Sequence, residues 1–261
     1  MTILDKIAEH AKERVALAKE RIPLSELKRM AFDEEKGDFA FFEALKKPGL
    51  SFILECKKAS PSKGIIAEKY DWLSIAKAYE AAGADAISVL TEPKWFLGRN
   101  EYLKEIAASV RLPVLRKDFT VDEYMLYEAK LLGAKAVLLI VSILSKGQIE
   151  EYLGICEELG ISALVEAHDE AEAERAVMTG AEIIGVNNRN LKDFSVDTKN
   201  AARLKDLIPP EVLFVSESGV KDEKDIRDII SFGADAVLIG ETMMRAEDKT
   251  AALKRLKGGM A

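Results

Sequence analysis

The chain has 261 residues, of which 48% are hydrophobic, and a formal net charge of -7. This length fits one large domain or two small ones, with enough apolar residues for a sizeable core. The negative charge argues against nucleic acid and anionic membrane surfaces as partners. The longest apolar run, residues 136–144, is too short to cross a bilayer.

The two cysteines, Cys56 and Cys156, lie far apart and match no metal-binding spacing, and the only histidines are His10 and His168. This inventory argues against a metal site and against a histidine-dependent catalytic triad. Free cysteines and an N-terminus with no apolar signal core predict a reduced, cytoplasmic protein.

The first fifty residues predict a helical extension. Residues 2–20 form an amphipathic pattern in which Thr2 and Asp5 make a capping-box start. A second helical segment begins at Leu24, and Pro48-Gly49 stops the chain before the first strand. This extension carries an apolar stripe, so it needs a surface to pack against.

From residue 51 onward, a unit repeats in which a helical stretch ends in Gly-Ala and an apolar run follows. The Gly-Ala pairs begin at Gly83, Gly133, Gly180 and Gly233. Glycine suits a left-handed helix C-cap, and short branched apolar runs are typical of parallel strands covered on both faces. The run at 52–55 and three further apolar runs, beginning at residues 113, 163 and 213, bring the strand total to eight.

Helix starts are visible after several of these strands, at Asp71, Asp122, Ser145 and Asp169. Eight β-α units with a period of about 25 residues and no linker predict a single α/β domain, a (β/α)8 TIM barrel over 51–261 preceded by the extension over 1–50. A doubly wound open sheet is the alternative. It fits less well because no glycine-rich dinucleotide or phosphate loop follows the first strand.

Polar residues cluster where the predicted strands end. Alternate strand residues share a face, so Ile53, Glu55 and Lys57 point the same way. The same alternation places Lys117, Glu166, Asn187 and Glu217 at the ends of other inward faces. Any one of these is equally explained as a solvated strand end. Together, at the end of a barrel that carries active sites, they indicate an acid–base site.

The loops after the last two strands carry a second pattern. Ser218-Gly219 and Gly240-Glu241 lie where barrels commonly bind phosphate through backbone N–H groups. Each glycine alone is an ordinary turn residue, but the pair indicates a phosphorylated substrate. The spacing does not name the reaction.

The run Phe-Ile-Leu-Glu-Cys-Lys-Lys-Ala-Ser-Pro-Ser at 52–62 resembles the signature of the indole-3-glycerol phosphate synthase family. The resemblance continues in five further motifs, at 115–119, 164–168, 184–191, 215–219 and 238–240. It implies a barrel whose helical extension covers the mouth. It also implies conversion of 1-(2-carboxyphenylamino)-1-deoxyribulose 5-phosphate to indole glycerol phosphate, CO2 and water, without a cofactor.

The resemblance also implies roles for individual residues. Lys117 is the acid for ring closure, Glu166 the base for dehydration, and Lys57 both a substrate ligand and the second acid. The remaining catalytic candidates are Glu55 and Glu217, which hold the lysines, and Asn187. The substrate-binding candidates are Ser60, Phe96, Phe119, Leu138, Arg189, Leu191 and Ser218. The phosphate-binding candidates are Lys57, Gly219, Gly240 and Glu241.

Two positions depart from the family pattern, Arg99 near the mouth and Ala167, where valine is commoner. A partly dry pocket that also holds Lys57 predicts that the proton of Lys117 leaves more easily than that of a free lysine, while the nearby glutamates keep Lys117 charged enough to bind substrate. Two other functions stay open: another phosphate-binding barrel, such as phosphoribosylanthranilate isomerase, and a catalytically silent barrel that only binds phosphorylated ligands. The expected partner is a phosphorylated small molecule, bound by a monomer or weak oligomer without metal, nucleic acid or membrane.

Overall fold

The structure is a computed structural model that describes residues 2–190 and 194–260. Eight parallel strands form a closed barrel in chain order. The strands are β1 (Ser51–Cys56), β2 (Ala86–Leu90), β3 (Val114–Lys117), β4 (Ala136–Ile140), β5 (Ser162–Ala167), β6 (Ile183–Asn187), β7 (Leu213–Glu217) and β8 (Ala236–Ile239).

The register closes the barrel between its first and last strands. Ile53 of β1 lies opposite Leu238 of β8, and Glu55 lies opposite Ser88 of β2 on the other side. Every barrel strand therefore has two parallel neighbours. The predicted (β/α)8 barrel is confirmed.

Twelve α-helices occur in the described residues, three of them in the N-terminal extension. They are α1 (Ile3–Arg21), α2 (Leu24–Asp33), α3 (Ala40–Leu45), α4 (Trp72–Ala82), α5 (Asn100–Ser109), α6 (Tyr124–Leu131), α7 (Lys146–Leu159), α8 (Glu170–Met178), α9 (Lys199–Lys205), α10 (Glu223–Ser231), α11 (Glu241–Arg245) and α12 (Lys249–Lys257). The predicted capping box of Thr2 with Asp5 is present. The four Gly-Ala glycines all adopt positive φ, as their role at helix ends requires.

The barrel separates two apolar layers. Ile53, Leu115, Leu164 and Val215 belong to the cluster that fills the barrel interior. Their neighbours along each strand pack outward, against the helices. The predicted alternation is confirmed, so the polar residues that end these inward faces extend beyond the packed interior into the barrel mouth.

The extension does not lie entirely over the mouth. Ile7 and Ala11 of α1 join the interior cluster, and α1 lines the cavity in the mouth. Helix α2 packs on the outside, against α6. Helix α3 closes the opposite end, where the Ser51 hydroxyl donates to the carbonyl of Leu45 at 3.4 Å.

The expectation that residues 1–50 cover the mouth therefore describes α1 only. The apolar residues of α3, Phe41 and Leu45, are fully buried against the side chains that begin the strands. They complete the floor of the barrel interior.

Candidate active site

A cavity of about 620 Å³ opens at the carboxyl ends of the strands. Strand ends and the loops that follow them supply most of its wall, and Ile3, Leu4 and Ile7 of α1 close one side. The volume lies in the usual range for sites that bind small molecules. The cavity is the place where a (β/α)8 barrel carries its chemistry.

The structure brings the predicted site residues together on this one cavity. The residues that line it include Glu55, Lys57, Ser60, Phe96, Lys117, Phe119, Leu138, Glu166, Asn187, Arg189, Glu217, Ser218, Gly219, Gly240 and Glu241. The remaining candidate, Leu191, lies outside the described residues. Shared placement alone does not assign a role to any of these residues.

Lys117 lies at the centre of the polar wall. Its Nζ is 2.9 Å from Oε2 of Glu166 and 3.0 Å from Oε2 of Glu217. The lysine side chain is 12% exposed and each glutamate side chain 2%. An ammonium group this deeply buried is stable only because two carboxylates face it.

The charges of this cluster act on one another. Burial alone would lower the pKa of Lys117, but Glu166, Glu217 and Glu55 outweigh it and raise the pKa above the ordinary value. Burial favours a raised pKa for Glu166, yet Lys117 and His168 hold it well below its usual range.

Glu217, the other carboxylate that faces Lys117, has a raised pKa, unlike Glu166. Burial raises the pKa of Glu217 to about 7, against the pull of Lys117 and with help from the neighbouring Glu166. The expectation that Lys117 gives up its proton more easily than a free lysine is wrong, because the carboxylates around it outweigh the effect of burial.

Lys57 is paired with the carboxylate of Glu55. Its Nζ donates to Oε1 of Glu55 at 2.5 Å, and both side chains are largely buried. Gly240 makes room for this pair, because a Cβ at that position would collide with the Glu55 carboxylate and lie 2.8 Å from Lys57 Nζ. Lys57 and Lys117 therefore have separate carboxylate partners.

Gly185 of β6 makes room for Glu217 in the same way. A Cβ at Gly185 would collide with Oε1 of Glu217 and lie 3.1 Å from Cδ1 of Leu164. That Oε1 atom is buried and has no hydrogen-bond partner among the residues that the structure describes. Glycine in a strand interior is unfavourable unless another group approaches closely, and here the approaching group is a carboxylate.

The second oxygen of Glu166 has two further neighbours. Asn187 Nδ2 donates to Oε1 at 3.3 Å, and His168 Nε2 lies 3.2 Å from the same atom. The sequence analysis did not place His168 in the site. The sequence did contain one indication of this position. His168 comes two residues after Glu166, so it continues the inward face of β5 just beyond the end of the strand.

Two aromatic rings and an aliphatic side chain form the apolar wall. The ring centroids of Phe96 and Phe119 are 5.9 Å apart, and Leu138 lies nearby on the same cavity. The fully buried carboxylate of Glu92 holds the loop that carries Phe96 by accepting from its backbone N–H at 3.0 Å. Arg99 is exposed and its guanidinium lies over the ring of Tyr102, 5.9 Å from the centroid.

The opposite end of the cavity is built from loops. Ser218 and Gly219 adopt consecutive left-handed conformations, with φ of 68° and 97°. A short antiparallel hairpin after β1, which the sequence analysis missed, carries Ser60 to this end. Lys63 of the hairpin lies 3.7 Å from the carboxylate of Glu241, which also accepts from Nε of Arg245 at 3.1 Å.

Comparison with known proteins gives one consistent result. The family model for indole-3-glycerol phosphate synthase matches residues 4–256. The chain is 52% identical over 257 residues to the indole-3-glycerol phosphate synthase of Ruminiclostridium cellulolyticum, covering 98% of this chain and 99% of that one. It is 53% identical over 223 residues to the enzyme of the same name from Leuconostoc mesenteroides, covering 85% of each chain.

The chain belongs to the indole-3-glycerol phosphate synthase family. Among solved structures it is similar to 3-hexulose-6-phosphate synthase from Salmonella typhimurium, with a TM-score of 0.65 and 14% identity over 81% of this chain and 98% of that one. That likeness shows the barrel fold alone.

Two further observations concern the described residues. Within 2–190 and 194–260, no three His, Cys, Asp or Glu side chains are grouped as ligands for a metal ion. Over the same residues, no helix combines the length and the apolar character needed to cross a membrane.

Proposed function

We propose that this chain is an indole-3-glycerol phosphate synthase in which Lys117 is the acid for ring closure. The reaction converts 1-(2-carboxyphenylamino)-1-deoxyribulose 5-phosphate to indole-3-glycerol phosphate, CO2 and water. The observation that carries the residue assignment is the position of Lys117, whose ammonium group lies between Glu166 and Glu217 in the cavity of a barrel from this family.

Ring closure forms a carbon–carbon bond between the aromatic carbon that bears the carboxylate and the ketone carbon of the substrate. Negative charge develops on the ketone oxygen and needs a proton. Lys117 remains an ammonium group at neutral pH because its pKa is raised by the facing carboxylates. It therefore supplies both a positive charge and a proton where the charge develops.

Loss of CO2 then restores the aromatic ring, and this step needs little help from the protein. Dehydration follows, in which a base removes a proton while the new hydroxyl leaves as water. Glu166 suits the base because its lowered pKa keeps it ionised, and Lys57 suits the acid that protonates the leaving hydroxyl. Glu55 and Glu217 hold the two lysines in place.

The rest of the cavity suits a substrate with an aromatic ring at one end and a phosphate at the other. Phe96, Phe119 and Leu138 provide an apolar wall for the ring. The loops with Ser218, Gly219, Gly240 and Glu241 provide the phosphate end, close to Lys57. Asn187 and Arg189 lie between these ends as further polar contacts, and Ser60 approaches from the hairpin.

The test is direct. Mixing the purified chain with the carboxyphenylamino substrate should produce indole absorbance and fluorescence together with one CO2 per turnover. Inorganic phosphate should inhibit this reaction competitively, because it occupies the phosphate end. Absence of an indole product would overturn the proposed function. Noncompetitive inhibition by phosphate would instead overturn only the placement of the phosphate.

A further inference from the structure

His168 is a buried titratable residue for which the proposed reaction has no role. Its Nδ1 lies 2.9 Å from Oε2 of Glu172, on α8, and its Nε2 lies 3.2 Å from Oε1 of Glu166. The side chain is only 16% exposed. The imidazole therefore lies between two carboxylates, one in the main cavity and one on the outer side.

The second carboxylate lines a separate cavity. This cavity, of about 560 Å³, lies beside the main one and is lined by both His168 and Glu172. The other charged groups of the described residues around it are Asp5, Asp169, Arg189, Asp197 and Arg203. The backbone of His168 is fixed as well, since its N–H donates to Glu172 and its carbonyl accepts from Nδ2 of Asn200 at 3.0 Å.

The Nδ1–Glu172 contact is a hydrogen bond, whereas Nε2 is buried with no hydrogen-bond partner among the described residues and faces Glu166 Oε1 only as a close electrostatic contact. A carboxylate oxygen only accepts hydrogen bonds and is negatively charged, so each imidazole nitrogen that faces one is favoured in its protonated form. A neutral imidazole has only one N–H, and its other lone pair would face a carboxylate across about 3 Å. Contact with both glutamates therefore favours the imidazolium ion, and burial strengthens the attraction.

We propose that His168 is a positioning residue that acts through Glu166, holding it ionised and oriented as the base for dehydration. The imidazolium supplies a positive charge on the side of Glu166 opposite to Lys117. Glu172 in turn holds the imidazolium. This inference rests on the proposed function, since it assigns to Glu166 the role of base.

The main test compares the pH dependence of kcat in the wild type, His168→Gln and Glu172→Gln. Glutamine retains a hydrogen-bond donor but no charge, so Glu166 should protonate at higher pH in His168→Gln. An opposite charge at this distance is typically worth 1–3 pKa units, so the acidic limb of the profile should move up by about 1–3 pH units. Glu172→Gln should move the acidic limb in the same direction but by a smaller amount, because Glu172 acts on Glu166 only through His168.

A purely structural role for His168 would lower kcat by the same factor at every pH and leave the limb in place. That result would overturn the inference while the wild type still made indole. Absence of indole from the wild type would instead count against the proposed function.

A second measurement needs no variant of the site itself. The chain has only two histidines, so their imidazole NMR signals can be followed in the wild type and assigned with His10→Gln. His168 should keep the chemical shifts of an imidazolium at pH 8. A neutral imidazole at that pH would overturn the inference even if the substitutions at 168 and 172 failed to fold.

Discussion

Gly185 shows how one missing side chain makes room for the carboxylate of Glu217, which contacts Lys117, the proposed acid. We expect Gly185→Ala to keep the fold but displace the carboxylate of Glu217, because the added Cβ collides with it. Glu217 would then lose its contact with Lys117. Misplacement of a reacting group by about 1 Å can cost about 10²-fold in rate, so kcat should fall by roughly that factor.

Steady-state kinetics check this prediction. The matched control is Gly154→Ala in α7, where the backbone is helical and the added Cβ has no atom of the described residues within 4 Å. That variant should keep wild-type kcat and should be slightly more stable, because alanine restricts the unfolded chain. Equal activity in the two variants would show that Glu217 tolerates displacement.

At the scale of secondary structure, helix α1 is tied to the strand end that carries Lys117. The Arg14 guanidinium donates to both oxygens of Asp118, at 2.7 and 3.1 Å, and Asp118 is fully buried. Burial alone would raise the pKa of Asp118, but Arg14, Arg116 and a hydrogen bond from Thr91 hold it below its ordinary value. The N-terminal extension and the end of β3 therefore share a buried ion pair.

We expect Arg14→Met to destabilise the protein and to disturb the cavity. Removing one partner of a buried pair typically costs about 3–5 kcal/mol, and the loss should lie near the lower end because Arg116 and Thr91 still contact Asp118. Denaturant unfolding measures this loss. Lys12→Met on the same helix is the control, since the pair of Lys12 with Glu9 is exposed and its removal should leave the midpoint unchanged.

The sequence predicted the elements of the barrel well because their signals are local. Glycines at helix ends, capping residues such as Thr2 and the two-residue alternation of β1 are all decided within a few positions. The surfaces against which α2 and α3 pack were not predictable in this way. Their apolar residues specify that a helix is buried, but not which end or side of the barrel covers it.

The same distinction applies to the site. Strand alternation predicted that Lys117, Glu166 and Glu217 converge, but not which charges come within 3 Å of each other. The pKa of Lys117 was therefore predicted in the wrong direction. Gly185 and His168 were missed because their importance depends on contacts with Glu217 and Glu166, which only the closed barrel creates.

At the scale of the whole molecule, the buried charges make folding stability depend on pH. Contact with Glu166 and Glu172 outweighs burial and raises the pKa of His168 from 6.5 to about 10. Between these values the folded chain keeps a proton that the unfolded chain releases. The stabilisation is complete below about pH 6.5 and is lost as the pH rises toward 10.

The free energy of unfolding should therefore fall between pH 6.5 and 10, and His168→Gln should flatten that fall. Glu217 changes stability in the same direction at lower pH, because its pKa is raised from 4.5 to about 7. Urea titrations between pH 4.5 and 10 measure both slopes. An unchanged slope in His168→Gln would mean that the histidine has no raised pKa in the folded chain.

The catalytic claim depends most on Lys117, and single-turnover kinetics of Lys117→Met with a substrate titration test it directly. Loss of a positioned general acid typically costs 10²–10⁴-fold, so kcat should fall by at least about 10²-fold while the substrate Kd changes much less. Lys57→Met should weaken binding and turnover together, because Lys57 is assigned both tasks. The account would be contradicted by a Lys117→Met enzyme that binds substrate weakly but turns bound substrate over at the wild-type rate. Lys117 would then be a binding residue, and Lys57 would be the acid for ring closure.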